Sequence, residues 1–180
     1  NFDRTHMFVS SHVWELPFGQ GKRYLKTGPA SYILGGWQVN GILRAVSGAP
    51  VNVVADAGPC NCPGNGNYAN VIGPVQYIGN TGPGQFWFDT SAFRAPAPNS
   101  FGNAGRNVVR GPGFTNYDFS VFRNFKFKER YEVEFRTELY NLTNTPHWNN
   151  PQGNVNSGQF GQITSAFGER EVQFALRFLF

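Results

Sequence analysis

Three histidines, His6, His12 and His147, and two cysteines, Cys60 and Cys62, are the side chains of this 180-residue sequence with the widest chemical range. Their spacing suits little of it. The histidines do not fit a nucleophile–base–acid triad, and His6 and His12 fall on one face of an extended stretch, where packing is the commoner use. The cysteines sit in GPCNCPGNGN, a Gly/Pro/Asn loop. Zinc sites draw four ligands, typically as two separated pairs, so this is a weak metal signal. A small disulfide in an oxidising compartment, or a pair of incidental thiols, are the other readings. There is no nucleophile elbow or P-loop, and GQGKRY lacks the third glycine and following helix of a dinucleotide fingerprint. These residues point to a protein that is not an enzyme and uses no cofactor or metal. Asn141-Leu142-Thr143 matches a glycosylation sequon, a pattern common by chance.

Charge and aromatic rings offer more. Glu132, Glu134, Arg136 and Glu138 alternate along one stretch, and Arg177 lies on the corresponding face of another, so they could meet a passing solute or simply form cross-strand ion pairs. Phe86, Trp87, Phe88 and Trp148 lie in loop-like segments, where exposed rings stack on sugars or grip peptides and buried ones pack the loop itself. Arg123, Lys126, Lys128 and Arg130 crowd beside Phe125 and Phe127. Basic residues among aromatics suggest nucleic acid, but one short cluster is no groove-tracking stripe, and a solvated turn is the expectation.

These residues need elements to hold them, and the composition favours strands. The chain has 18 Phe and 22 Gly with only 14% charged residues, a mix suited to strands, turns and irregular loops. The all-β expectation is an antiparallel meander of about six long strands, near 5–17, 35–47, 50–57, 115–125, 130–142 and 170–180, with long external loops at 18–34, 58–114 and 143–169, all on one rim. In RYEVEFRTELYNL, Tyr131, Val133, Phe135, Thr137 and Leu139 oppose Glu132, Glu134, Arg136, Glu138 and Tyr140. A helical rival joining Phe135, Leu139 and Leu142 leaves Val133 stranded. SGAP reads as a tight hairpin turn between the second and third strands. In the ending REVQFALRFLF, Val172, Phe174, Leu176, Phe178 and Phe180 share one face.

No apolar run approaches the length of a transmembrane helix, but strands of about ten residues cross a hydrocarbon layer when tilted. Alternation alone fits either a soluble sandwich, with the apolar face inward, or a barrel in lipid, with that face outward and the charged one lining a wet lumen. Aromatics near strand ends (Trp14, Trp37, Tyr117, Tyr131, Phe178, Phe180) and short connections alternating with long ones favour the barrel. A secreted β-sandwich carbohydrate-binding module and a small porin-like barrel remain as alternatives. Six strands are too few to close a membrane barrel. With no initiator Met at Asn1, the chain is expected to be one piece of a longer polypeptide.

VQFALRFLF resembles the carboxy-terminal strand of outer-membrane β-barrels. In order, DRTHMFVSSHVWELPFGQGK, GGWQVNGILRAVSGAPVNV, WFDTSAFRAPAPNSFGNAGRNVVRGPGFTNYDFSVFRNF and FRTELYNLTNTPHWNNP resemble the end of the barrel domain of Oar-like TonB-dependent transporters. The resemblance implies a 22-stranded barrel around a plug, importing a bulky ligand such as an oligosaccharide, peptide or chelate across a Gram-negative outer membrane. It implies an assembly signal at Phe174, Leu176, Phe178 and Phe180. The implied partners are the barrel-assembly machinery, the rest of the barrel and plug, TonB through an amino-terminal part, and outer-membrane lipid. The CNC loop departs from the family pattern.

Overall fold

The computed structural model describes residues 3–61, 66–127 and 131–180. Among these residues it is all-β apart from one short helix and two 3₁₀ turns. Five long strands, β1 (Met7–Glu15), β2 (Trp37–Val46), β3 (Phe114–Phe127), β4 (Tyr131–Tyr140) and β5 (Glu171–Leu179), form one sheet in the order β1-β2-β3-β4-β5. Among the described residues no helix is long and apolar enough to cross a membrane, which leaves strand crossings open.

The register fixes what each face carries, because residues directly opposite one another share a face. Phe119 lies opposite Leu139 and then Val172; Val121 opposite Thr137 and Phe174; Phe125 opposite Val133 and Phe178. The alternate rows are polar: Ser120, Glu138 and Gln173 in one, Asn124, Glu134 and Arg177 in another. Phe135 and Leu139 are on one strand face, so the helical rival for this segment is out. Aromatic edges finish the sheet, with the Tyr131 and Phe178 rings stacked at 5.9 Å.

A close approach pins β1 to β3 across β2. Gly41 is buried, and a Cβ there would lie 2.4 Å from the His12 ring and 2.6 Å from the Tyr117 hydroxyl. Without that Cβ the two side chains meet over the middle strand, their rings stacked at 6.0 Å and the Tyr117 hydroxyl 3.3 Å from His12 Nε2.

The expectation of six strands is corrected to five. Residues 50–57 do not join the sheet: Pro50–Val51 pairs with Val109–Arg110, and Val54–Ala55 with Asn67–Tyr68. The segment does alternate, but Val51, Val53 and Ala55 are all buried within a separate unit rather than lying on the sheet's apolar face. SGAP is therefore not a hairpin turn of the sheet. In a five-strand meander the 16–36 connection leaves from the same rim as the short 127–131 connection, and the connections 47–113 and 141–170 leave from the other, so loop 18–34 does not share a rim with the other two long loops as expected.

The other compact unit comprises Asn1–Met7, Val46–Phe114 and Pro146–Phe167. Its core is Val51, Val53, Ala69, Phe88, Ala92, Phe93 and Val109, with Phe88, Phe93 and Phe160 meeting edge to face at 5.4–6.0 Å. Backbone bonds cross between the two long segments, from Val54 N–H to the Gly153 carbonyl and from Trp87 N–H to the Gly161 carbonyl. Strand pairs of two residues satisfy little backbone, and asparagine supplies the rest. Asn52 Oδ1 accepts from Asn107 N–H, Asn67 Oδ1 from Gly102 N–H, and Asn103 Oδ1 from Val71 N–H.

Gly102 tests this packing, since a Cβ there would lie 1.9 Å from the Tyr68 carbonyl oxygen and 2.4 Å from that of Ala69. Neither neighbour is a mobile side-chain tip. Gly102→Ala should destabilise this unit by about 2 kcal/mol, read as faster amide exchange at residues 67–71 with exchange in β3–β5 unchanged.

Candidate functional site

Two surfaces concentrate the chemistry expected from the sequence: the polar face of the sheet and the rings of the loop-derived unit.

On the sheet, Glu132, Glu134, Arg136, Glu138 and Arg177 do share a face. Arg136 is the hub. Its guanidinium lies 2.9 Å from Glu134 Oε1 and 3.7 Å from Glu138 Oε1, and stacks 4.6 Å from the centre of the Phe122 ring on β3. Its Nε is buried without a hydrogen-bond partner. Across the strands Glu134 is opposite Arg177, and Lys126 is opposite Glu132. Opposite charges on adjacent strands keep a charged wall compact and leave it wet. A hollow of about 310 Å³ opens on this face, lined by Asn40, Ile42, Asp118, Ser120, Glu138 and Tyr140 among others.

Asp118 explains the asparagine of the sequon. Its Oδ1 accepts from Asn141 N–H at 2.9 Å and from Asn116 Nδ2 at 2.8 Å. Asn141 is buried with φ 48°, its side-chain Nδ2 donating to the carbonyls of Thr145 and Gly168 and its Oδ1 accepting from Thr145 N–H. A left-handed asparagine that closes the exit of β4 with four groups has no exposed amide left to modify.

In the loop-derived unit the four candidate rings part company. Phe88 is fully buried in the core and is corrected from ligand contact to packing. Trp87 is half-buried, its Nε1 donating to the Arg110 carbonyl at 2.7 Å and its ring edge-on to Tyr77. Trp148 is half-buried, and Phe86 is exposed. Sequence reasoning missed the more exposed rings and chains of this unit, Phe101 at 73%, Ile72 at 61% and Tyr77 at 53%, because they stand singly among turn residues.

The histidines are each accounted for locally. The His6 backbone N–H donates to Ser47 Oγ, His12 meets Tyr117, and His147 is buried between Phe114 and Phe167 at 4.6 and 5.3 Å. Cys60 is disulfide-bonded, while Cys62 lies outside the described residues. Among the described residues no group of three or more His, Cys, Asp or Glu is arranged to hold a metal. Lys128 and Arg130 also lie outside the described residues.

Arg123 corrects the reading of a solvated basic turn. It is 9% exposed and lies in the apolar row, opposite Phe135 and then Leu176. Its guanidinium donates to the carbonyls of Tyr32 and Ile33 and lies over the rings of Phe125 at 4.2 Å and Trp37 at 5.4 Å. Those carbonyls belong to α1 (Pro29–Leu34), whose last turn has no intrahelical donors for them. A cation on an apolar face is thus enclosed by rings and capped by a helix end.

A sheet with one largely apolar face, one polar face with ion pairs and its two longest connections on one rim is the architecture of a strand-crossing membrane protein. The family model for an outer membrane beta barrel domain matches residues 1–173. The chain belongs to that family. No curated protein and no solved structure matches it significantly. Membership implies location in a bacterial outer membrane and gives the barrel chain's two faces different solvents, lipid for the apolar one. Phe174, Leu176 and Phe178, on the strand that completes the sheet, and Phe180, just after it, fall beyond the matched residues.

One carboxylate of the loop-derived unit ties its fold to pH. Asp89 accepts from Ser91 N–H at 2.9 Å and from the Ser91 hydroxyl at 2.8 Å, and these bonds hold its carboxyl below the usual aspartate range. A lowered folded pKa means the contribution is complete above the ordinary aspartate pKa and disappears as pH falls through the folded value. Acidification should therefore loosen the Thr90–Ala92 turn in the wild type. In Asp89→Asn, amide exchange at residues 90–93 should lose most of that pH dependence.

Proposed function

We propose that the chain is the carboxy-terminal part of the wall of a TonB-dependent outer-membrane transporter in a Gram-negative bacterium, importing a bulky ligand such as an oligosaccharide, peptide or chelate. It is not an enzyme. The observation that carries the reading is that the connections 47–113 and 141–170, which leave the same rim of the sheet, fold together around one core. Loops that commit to a folded core of their own are the investment expected of a ligand-collecting rim. The ordered resemblance to Oar-like transporters supports it.

In this reading Glu132, Glu134, Arg136, Glu138 and Arg177 face the lumen and the plug, Phe86 and Trp148 are the remaining loop contacts for ligand, and energy arrives from TonB through an amino-terminal part. The apolar row of β5 is the address read by the barrel-assembly machinery. Its exposure, 72% at Phe174 and 74% at Leu176, favours lipid over the second sheet of a soluble sandwich.

Cells displaying the full protein should accumulate one member of a labelled oligosaccharide, peptide and chelate panel. Removing TonB, or deleting Phe180 and so preventing assembly, should abolish accumulation. Uptake that persists without TonB would favour a diffusion pore. A detergent-free soluble protein after either change and before it would favour the sandwich.

A further inference from the structure

The 16–36 connection has a composition unlike that of a solvated turn. Its helix PASYIL has no charge, and its one serine, Ser31, is buried and donates to the Gly28 carbonyl. Tyr32 and Ile33 are 67% and 66% exposed. A helix this apolar, standing outward, suits water badly. Beside it, Leu16, Phe18, Leu34, Trp37 and Val121 line an almost wholly apolar hollow of about 350 Å³. Trp37 and Val121 belong to the apolar face of the sheet, so the hollow continues the surface that membership in this family assigns to lipid. Trp37 Nε1 and Arg123 both donate to the Ile33 carbonyl, which fixes the helix against that face.

The preceding residues complete the pattern. GKRYLK places Lys22, Arg23 and Lys26 among Tyr24 and Leu25, both of which are exposed. Lys22 pairs with Glu15, while Arg23 and Lys26 make no ion pair among the described residues. Arg23 lies 5.3 Å over the Tyr24 ring. Cations beside amphipathic rings, next to an apolar hollow on a lipid-facing wall, match the two ends of one molecule: a phosphate headgroup and an acyl chain.

We propose that residues 16–36 form a phospholipid site at the membrane interface, with one acyl chain in the Leu16–Phe18–Leu34–Trp37–Val121 hollow, the headgroup phosphate held by Arg23 and Lys26, and α1 lying in the interface. This deepens the outer-membrane reading and rests on it. The rim is the one opposite the two longest connections, and in outer-membrane barrels the long loops face outward, so the lipid belongs to the periplasmic leaflet.

The test uses the full protein in outer-membrane vesicles, with a nitroxide on Ile33→Cys and, separately, on Phe174→Cys as a mid-sheet control. Both labels should collide with dissolved oxygen in preference to an aqueous nickel chelate. If Phe174→Cys shows lipid contact and Ile33→Cys shows water contact, the interfacial site is refuted while the barrel stands. If both are in water, both readings fall. Phospholipid phosphorus retained through detergent extraction should drop in Arg23→Gln/Lys26→Gln relative to wild type. Equal retention would remove these two cations from the site.

Discussion

A backbone crossing hydrocarbon must satisfy every N–H and C=O within the protein, because no water is there to do it. That constraint makes the wall a sheet, and the sheet makes side chains alternate between two solvents. The rows running from Phe119 through Leu139 to Val172 and from Ser120 through Glu138 to Gln173 are its direct outcome. Polar exceptions on the apolar face are then costly and need partners. His12 meets Tyr117 over Gly41, and Arg123 is wrapped by Phe125, Trp37 and the end of α1. An arginine facing lipid costs about 2–4 kcal/mol at the midplane and close to nothing at the interface, and Arg123 lies toward the end of β3 with its donors already engaged.

Off the sheet the constraint is reversed. The loop-derived unit has strand pairs of only two residues, so its backbone relies on asparagine side chains and left-handed turns such as those at Asn99 and Asn107. A modest core of Phe88, Phe93 and Phe160 holds it. The high asparagine and glycine content therefore has one physical source: two long connections folded with little regular pairing.

Legibility in the sequence followed locality. The alternation in residues 115–125, 130–142 and 170–180 gave strands and faces together, including the shared face of Glu132, Glu134, Arg136, Glu138 and Arg177. Residues 50–57 misled because VNVVA alternates as a wall strand does; which solvent its apolar side meets is decided by partners such as Val109, far along the chain. The helix Pro29–Leu34 carried readable marks, proline at its start and glycines after its end, but six residues between turn signals look like loop. Arg123 could not be read, since the carbonyls that hold it are 90 and 91 positions away. Phe88 looked like its neighbour Phe86, and only three-dimensional packing separates the buried ring from the exposed one.

The central claim is that the two faces of this sheet meet different solvents, and β4, flanked on both sides, reports it most directly. Single cysteines at Val133, Phe135, Thr137 and Leu139, and at Glu132, Glu134, Arg136 and Glu138, would be treated in intact outer membranes with a water-soluble thiol reagent. The account predicts labelling with a period of two, confined to the charged row. Equal labelling of both rows would place the apolar face in water, and protection of both would place the charged row in a dry core; either contradicts a barrel wall.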